Sequence, residues 1–117
     1  MGKLTTHVLD TTLGKPGDGI RIDLFRLNGD VRDKLGENLT NDDGRCDAPL
    51  LEGPAFTPGV YELVFHVGAY FDRRAPGLPD PKFLDVVPVR FGISNGDSHY
   101  HVPLLISPYS YSTYRGS

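Results

Sequence analysis

The sequence predicts an all-β protein, a two-sheet β-sandwich with one short helix. Segments in which apolar and polar residues alternate with a period of two run through most of the 117 residues. The turns between them are rich in the chain's 14 glycines and 10 prolines, a composition that favours short strands over a helical bundle. Seven or eight short strands separated by turns are typical of two packed sheets. The predicted strands cover residues 4–12, 20–27, 32–35, 48–51, 60–67, 86–91, 99–106 and 109–113.

The first predicted strand places a histidine on one of its two faces. Along residues 4–12, Leu4 and Val8 fall on the same face because side chains alternate along a strand. Thr5 and His7 fall on the opposite face. A histidine therefore lies on the face of this strand that does not carry Leu4 and Val8.

The elements that follow are separated by turns. Residues 14–19 form a loop by composition, and residues 20–27 form a second alternating strand. Residues 28–30, Asn-Gly-Asp, close this strand as a hairpin turn. We expect a weak strand at 32–35, within a polar region, and a short extended segment at 48–51 that a proline limits to a sheet edge.

The second half contains the stronger strand signals. Residues 60–67 alternate clearly, and residues 68–74 can form one or two helical turns before a proline. Residues 86–91 are strand-like despite an internal proline, and the Asn-Gly-Asp turn at 95–97 leads into the strand at 99–106. The chain then continues as a strand that ends with a tyrosine, an arginine and a carboxylate close to two histidines.

The strand at 99–106 is unusual because both of its faces are apolar. Pro103 and Leu105 surround His99 and His101 on one face, and a sandwich strand normally exposes one face to water. We therefore expect another subunit to cover this face, in a homo-oligomer whose interface contains histidines. The other face consists of Tyr100, Val102, Leu104 and Ile106.

Composition and charge exclude several classes of function. The net charge of −3, with both signs scattered, offers no basic surface for nucleic acid. No apolar run approaches the roughly 18 residues of a membrane span. The start of the chain lacks the apolar segment of a signal peptide, and the lone Cys46 suits a reducing compartment, so we expect a cytoplasmic protein. We expect residues 1–117 to form one domain.

Two site chemistries fit the histidines. His7, His99 and His101 could together hold zinc, but no further cysteine or histidine lies at ligand spacing, so we expect neither a metal nor a cofactor. The alternative is metal-free hydrolysis, in which an imidazole takes a proton from water while an arginine stabilises the resulting oxyanion.

Four segments spread over the whole chain carry a resemblance to known proteins: Thr6-His7-Val8-Leu9-Asp10, Gly14-Lys15-Pro16, Gly44-Arg45-Cys46 and residues 101–117. They resemble the motifs of the 5-hydroxyisourate hydrolases, a family within the transthyretin superfamily. The closing Tyr-Arg-Gly-Ser is specific to those hydrolases, whereas Ser-Pro-Tyr-Ser-Tyr-Ser-Thr at 107–113 also occurs in transthyretin. The resemblance implies a transthyretin-like sandwich of two four-stranded sheets with one short helix, assembled as a tetramer of two dimers with active sites in the channel between them.

The resemblance also implies a reaction and a set of residues. The family opens 5-hydroxyisourate with water to give 2-oxo-4-hydroxy-4-carboxy-5-ureidoimidazoline. The matching positions are His7, Arg45, His101 and Ser117 as catalytic residues. The resemblance also implies that His7, Arg45 and Ser117 bind the substrate and that Tyr114 forms a wall of the pocket. Which imidazole is the base stays open at this point.

Other polar residues receive lesser roles. We expect His99 to be peripheral and His66 to be structural, and Asp47 is a candidate partner for Arg45 or a histidine. The competing function is a transthyretin-like carrier that binds a small molecule without turnover. A carrier channel needs no proton shuttle, so His7, Arg45 and His101 together favour the enzyme.

Overall fold

The computed structural model describes residues 2–116, and they form a β-sandwich. Among the residues described, its helical segments are one α-helix at Val67–Arg74 and a single 3₁₀ turn at Gly53–Ala55. None of the helices in residues 2–116 is long and apolar enough to cross a membrane. The strands and the helix are, in chain order, β1 (Lys3–Thr5), β2 (Val8–Asp10), β3 (Lys15–Pro16), β4 (Arg21–Asn28), β5 (Val31–Leu39), β6 (Leu51–Glu52), β7 (Gly59–His66), α1 (Val67–Arg74), β8 (Val86–Ile93), β9 (His99–His101), β10 (Leu104–Ser107) and β11 (Ser110–Thr113).

One layer of the sandwich is a continuous antiparallel sheet of four strands in the order β5-β4-β7-β8. Its inner face is built by the alternation seen in the sequence, and Ile22, Leu24 and Leu63 are at most 1% exposed. The outer face carries two buried carboxylates, Asp23 and Glu62, which pair with basic side chains. Burying a charge is costly unless it is paired, so these ion pairs allow the sheet to carry acids at its centre.

The other layer follows four strand paths but is divided into two sheet segments. The segments have the orders β6-β1-β9 and β11-β10-β2-β3. The division falls where β1 gives way to β2 and β9 gives way to β10, at Thr6–His7 and Val102–Pro103. Pro103 has no N–H to donate to a ladder, and the Thr6 hydroxyl donates to the Val102 carbonyl at 2.6 Å. This interruption places His7 at the junction of the two segments.

The predicted sandwich is confirmed, and the differences lie in individual elements. The predicted strand at 32–35 is instead the nine-residue β5, because it pairs along the whole of β4 in a long hairpin. The predicted loop at 14–19 contains β3, which pairs with β2. The edge segment at 48–51 shifts to β6, whereas the helix expected at 68–74 is present as α1.

A buried polar contact fastens α1 to β2. The Tyr70 hydroxyl donates to Asp10 Oδ2 at 2.7 Å, and the backbone N–H groups of Thr12 and Leu13 donate to Asp10 Oδ1. Burial and the neighbouring Asp10 raise the pKa of Tyr70, so the phenol keeps its proton and remains a donor. The contact holds β2, and therefore the position of His7 beside it, against the core.

Candidate active site

His7 is held beside Arg45 by a backbone contact between distant parts of the chain. The Val8 N–H donates to the Gly44 carbonyl at 2.8 Å, and His7 and Arg45 form an isolated antiparallel bridge. Gly44 has a φ of +72°, and a Cβ there would lie 2.4 Å from the Val8 carbonyl oxygen. Only glycine permits this approach without strain, so Gly44 is part of what brings Arg45 to His7.

The imidazoles of His7 and His101 are in direct contact. His7 Nδ1 lies 2.7 Å from His101 Nε2, and the two rings are stacked with their centroids 4.9 Å apart. His101 is 8% exposed. The two residues are separated by 94 positions and meet because β10 pairs with β2 in parallel, with the Leu104 N–H donating to the His7 carbonyl at 2.9 Å.

The second ring nitrogen of His101 also has a partner. His101 Nδ1 lies 2.8 Å from the hydroxyl oxygen of Thr5, which in turn lies 2.7 Å from His99 Nε2. The expectation that His99 is peripheral is therefore wrong, since it joins the same set of contacts and lines the same cavity. Sequence reasoning also missed Thr5, although its place on the His7 face of the first strand was a usable signal.

The end of the chain packs against His101. The Gly116 N–H donates to the His101 carbonyl at 2.7 Å, and a Cβ on Gly116 would lie 2.7 Å from Cδ2 of the His101 ring. The Arg115 guanidinium lies over the Tyr100 ring, 4.0 Å from its centroid. Ser117, predicted to be catalytic and substrate-binding, lies outside the described residues, so its role stays a prediction.

These side chains surround a cavity of about 590 Å³, which is large enough for a small heterocycle. Among the predicted site residues, His7, Arg45, His101 and Tyr114 all line it. Lysine and arginine side chains outnumber acids around it. The full lining is Lys3, Thr5, Thr6, His7, Arg45, Cys46, Asp47, Ala48, Pro49, His99, His101, Tyr114, Arg115 and Gly116.

Burial and the cationic surroundings favour the neutral form of both imidazoles. Burial, followed by the charge of Arg45, lowers the pKa of His7. Burial also lowers the pKa of His101, and His7, Arg45 and His99 lower it further. A neutral imidazole can accept a proton, so the pair remains able to act as a base below the pH at which free histidine protonates.

The remaining polar groups have ordinary partners. Asp47 accepts a hydrogen bond from the Asn41 amide at 3.0 Å, rather than from Arg45 or a histidine among the contacts described. Burial, followed by the charge of Asp47, raises the pKa of the Cys46 thiol. His66 contacts Asp23 at 2.9 Å on the other sheet, in keeping with a structural role. Within residues 2–116 no three histidine, cysteine, aspartate or glutamate side chains are arranged to hold a metal ion.

Comparison with known proteins decides the family. The HIUase/Transthyretin family matches residues 4–116. The chain belongs to this family. Over 116 residues it is 63% identical to 5-hydroxyisourate hydrolase 2 of Rhizobium meliloti (strain 1021), an alignment that covers 99% of this chain and 97% of that protein.

Two solved structures confirm the transthyretin-like fold. An (S)-allantoin synthase matches with a TM-score of 0.93 and 51% identity over 99% of this chain, which spans only 44% of that longer protein. Sea bream transthyretin in complex with thyroxine matches with a TM-score of 0.86 and 27% identity, covering 97% of this chain and 94% of that one. The predicted membership of the transthyretin-like proteins is confirmed, and the fold is shared by proteins with different functions.

Proposed function

We propose that this protein hydrolyses 5-hydroxyisourate to 2-oxo-4-hydroxy-4-carboxy-5-ureidoimidazoline, in the breakdown of urate. The observation that carries the proposal is the 2.7 Å contact between His7 and His101 in a cavity that also contains Arg45. The 63% identity over almost the full length to a protein named 5-hydroxyisourate hydrolase supports the substrate. A fold shared with transthyretin supports only the scaffold.

His7 is the proposed general base. Both ring nitrogens of His101 are engaged, Nδ1 by Thr5 and Nε2 by His7. His7 Nδ1 is occupied by His101, and none of the hydrogen bonds among residues 2–116 uses His7 Nε2. This nitrogen is therefore the one available to a water molecule in the cavity, and His101 acts by orienting the ring and sharing the proton.

The reaction balances with one water and one travelling proton. His7 Nε2 takes a proton from water as the water oxygen bonds to a ring carbonyl carbon. The tetrahedral intermediate then expels the ring nitrogen as the C–N bond breaks, and the proton returns to that nitrogen. The carbonyl carbon becomes the carboxyl group of the product. The lowered pKa of His7 suits both steps, because a weaker base also returns the proton more readily.

Arg45 is proposed to bind the substrate oxygens and stabilise the oxyanion. Its planar guanidinium presents several donors in a fixed fork, which suits a developing negative charge beside a carbonyl. Its charge also favours anionic groups in the cavity. Tyr114 is proposed as a wall of the substrate site, and Ser117 as a group that orients the substrate or an imidazole through its hydroxyl.

We also propose that the protein works as a homotetramer in the cytoplasm. Support for the assembly comes from exposed apolar side chains on the layer that carries the site. Tyr109, in the turn between β10 and β11, is 59% exposed, Tyr111 in β11 is 43% exposed, and Leu105 in β10 is only half-buried. Exposed apolar surface of this kind is typical of an interface between subunits. The lone Cys46 supports a reducing compartment.

The first experiment measures the decay of 5-hydroxyisourate, generated from urate by urate oxidase, with and without the purified protein after treatment with a chelator. We expect rapid decay that survives the chelator. His7→Asn should lower turnover by about a hundredfold or more, because the general base is lost. His101→Asn should also lower turnover, because His7 loses the partner that orients its ring. His66→Asn, a histidine variant on the other sheet, is the matched control and should retain activity.

Other outcomes separate the alternatives. Decay at the uncatalysed rate, together with measurable binding of a small aromatic ligand, would favour the carrier. Activity lost only after chelation would contradict the metal-free mechanism, and full activity in His101→Asn would remove His101 from it.

A further inference from the structure

The Thr5 hydroxyl lies between two imidazoles. Its oxygen is 2.8 Å from His101 Nδ1 and 2.7 Å from His99 Nε2, and His101 Nε2 is 2.7 Å from His7 Nδ1. These four side chains form a continuous line of hydrogen bonds, which we call the His7–His99 chain. One end lies at His7 in the cavity, and the other end is the exposed His99.

A hydroxyl group carries a single hydrogen and has two acceptor lone pairs, so the imidazole that receives the Thr5 hydrogen determines the direction of the other bonds in the His7–His99 chain. Suppose that Thr5 donates to His99 Nε2. Its oxygen then accepts from His101 Nδ1–H, which leaves His101 Nε2 as an acceptor for His7 Nδ1–H. A neutral His7 in this arrangement has its lone pair on Nε2. This is the arrangement that a general base requires.

The opposite direction inactivates the base. If His99 Nε2 carries a hydrogen, it donates to the Thr5 oxygen, which frees the Thr5 hydroxyl to donate to His101 Nδ1. His101 Nε2–H then donates to His7 Nδ1, and the neutral His7 carries its hydrogen on Nε2. A protonated His99 has hydrogens on both ring nitrogens and cannot accept the Thr5 hydrogen. Among the contacts described, the other acceptor for that hydrogen is His101 Nδ1, so protonated His99 favours this second direction.

We propose that Thr5 and His99 are positioning residues that control which ring nitrogen of His7 carries a hydrogen. Neutral His99 allows the arrangement with a lone pair on His7 Nε2, and protonated His99 favours the arrangement with a hydrogen there. The effect on turnover rests on the hydrolase function proposed above, whereas the coupling between the rings does not.

The same chain gives the proton taken from water a place to go. When His7 Nε2 takes a proton, His7 Nδ1–H can pass to His101 Nε2, His101 Nδ1–H to Thr5, and the Thr5 hydrogen to His99 Nε2. His7, His101 and Thr5 each give one hydrogen and receive one, whereas His99 only receives one, so the positive charge appears on His99. An exposed imidazolium is better solvated than one at the buried His101. Reversal of the steps returns the proton to the cavity.

Other titratable and charged groups surround the His7–His99 chain and influence the pH at which its hydrogen bonds reverse direction. They include Glu52, which faces Lys3 across β1 and β6. The test therefore compares variants that leave all of them in place. The groups that line the cavity are Lys3, Arg45, Cys46, Asp47, Tyr114 and Arg115.

The test records the ¹⁵N chemical shifts of the His7 and His101 ring nitrogens as a function of pH in the protein without substrate. In the wild type we expect the hydrogen on His7 to move from Nδ1 to Nε2 as the pH is lowered. In Thr5→Val, which keeps the shape but lacks the hydroxyl, this response should disappear, and Thr5→Ser should restore it. Thr57→Val is the matched control, since the Thr57 hydroxyl accepts a hydrogen bond from Arg26 at 2.7 Å outside the cavity.

The pH profile of kcat/KM tests the catalytic consequence. Thr5→Val should lower kcat by about tenfold, the value of one directing hydrogen bond, with a smaller change in KM. In His99→Ala the acid limb of the profile should move to lower pH, because protonation at this position no longer removes the base. His99 is exposed, so this variant tests the proposal even if Thr5→Val fails to fold.

Two results would overturn the proposal: a His7 tautomer that responds to pH in Thr5→Val or His99→Ala as it does in the wild type, or an acid limb that does not move in His99→Ala. A wild-type protein without hydrolase activity would instead overturn the proposed function. The ¹⁵N shifts would still decide the coupling in that case.

Discussion

The packing of the chain end against His101 makes Gly116→Ala the most informative single substitution. A Cβ added to Gly116 would lie 2.7 Å from Cδ2 of the His101 ring, whereas ordinary contacts begin at 3.4 Å. Either the ring or the chain end must therefore move by about 0.7 Å. The methyl group adds no charge and removes no donor, so the substitution tests position alone.

The expected loss of turnover follows from the contacts of the His101 imidazole. If the movement is taken up along the bond to His7, its length increases from 2.7 Å towards 3.4 Å, beyond the usual limit of about 3.2 Å. If the chain end moves instead, the Gly116 N–H loses its 2.7 Å bond to the His101 carbonyl. Misplacement of a catalytic group by less than 1 Å lowers turnover by about 10- to 100-fold.

The assay compares kcat for 5-hydroxyisourate decay with the melting temperature followed by circular dichroism. Gly36→Ala in β5 is the matched control, because no heavy atom lies within 4 Å of its added Cβ. We expect Gly116→Ala to lose turnover while melting close to the wild type, and the control to retain both. Wild-type kcat and KM in Gly116→Ala would refute the inference that this contact positions His101.

Three further predictions concern charge, stability and pH. Arg45→Lys keeps the charge but loses the fork of donors, and we expect kcat to fall by about a hundredfold in stopped-flow assays; unchanged kcat would exclude oriented oxyanion binding. Tyr70→Phe leaves the buried Asp10 without its donor and should lower the free energy of unfolding by about 1–3 kcal/mol in urea titrations, with turnover retained. The pKa values of His7 and His101 are lowered in the folded state. As the pH falls below the ordinary histidine pKa of 6.5, the unfolded chain therefore binds more protons than the folded protein, and the free energy of unfolding decreases. The urea midpoint should therefore fall on acidification, and less steeply in His7→Asn/His101→Asn; an equally steep fall in that variant would contradict the assignment.

The local pattern of apolar and polar residues was sufficient to predict most of the fold. Alternation in residues 20–27 and 60–67 predicts the buried faces of β4 and β7, because side-chain direction in a strand depends only on a period of two. Residues 68–74 similarly predict α1. The length of β5 could not be read in the same way. Its residues are mostly exposed and polar, and the strand exists because β4 beside it provides hydrogen-bond partners.

Sequence motifs predicted part of the candidate active site. His7, Arg45, His101 and Tyr114 were each predicted, and all four line the cavity. The direct contact of the two imidazoles could not be predicted from the sequence, because it depends on the register between β2 and β10. A shift of one residue in that register would turn one ring to the opposite face.

The sequence by itself determined the all-β class, the buried faces of the strands and the kinds of side chain available for chemistry, since these depend on local alternation and residue type. Only the tertiary structure decided which of those side chains meet. Thr5 and His99 show the difference. Hydroxyl and imidazole groups are common on strand faces, and they became partners here because β1 and β9, far apart in the chain, pair in parallel with Thr5 opposite His101. Such pairing depends on the packing of the whole sandwich, which no local stretch of sequence specifies.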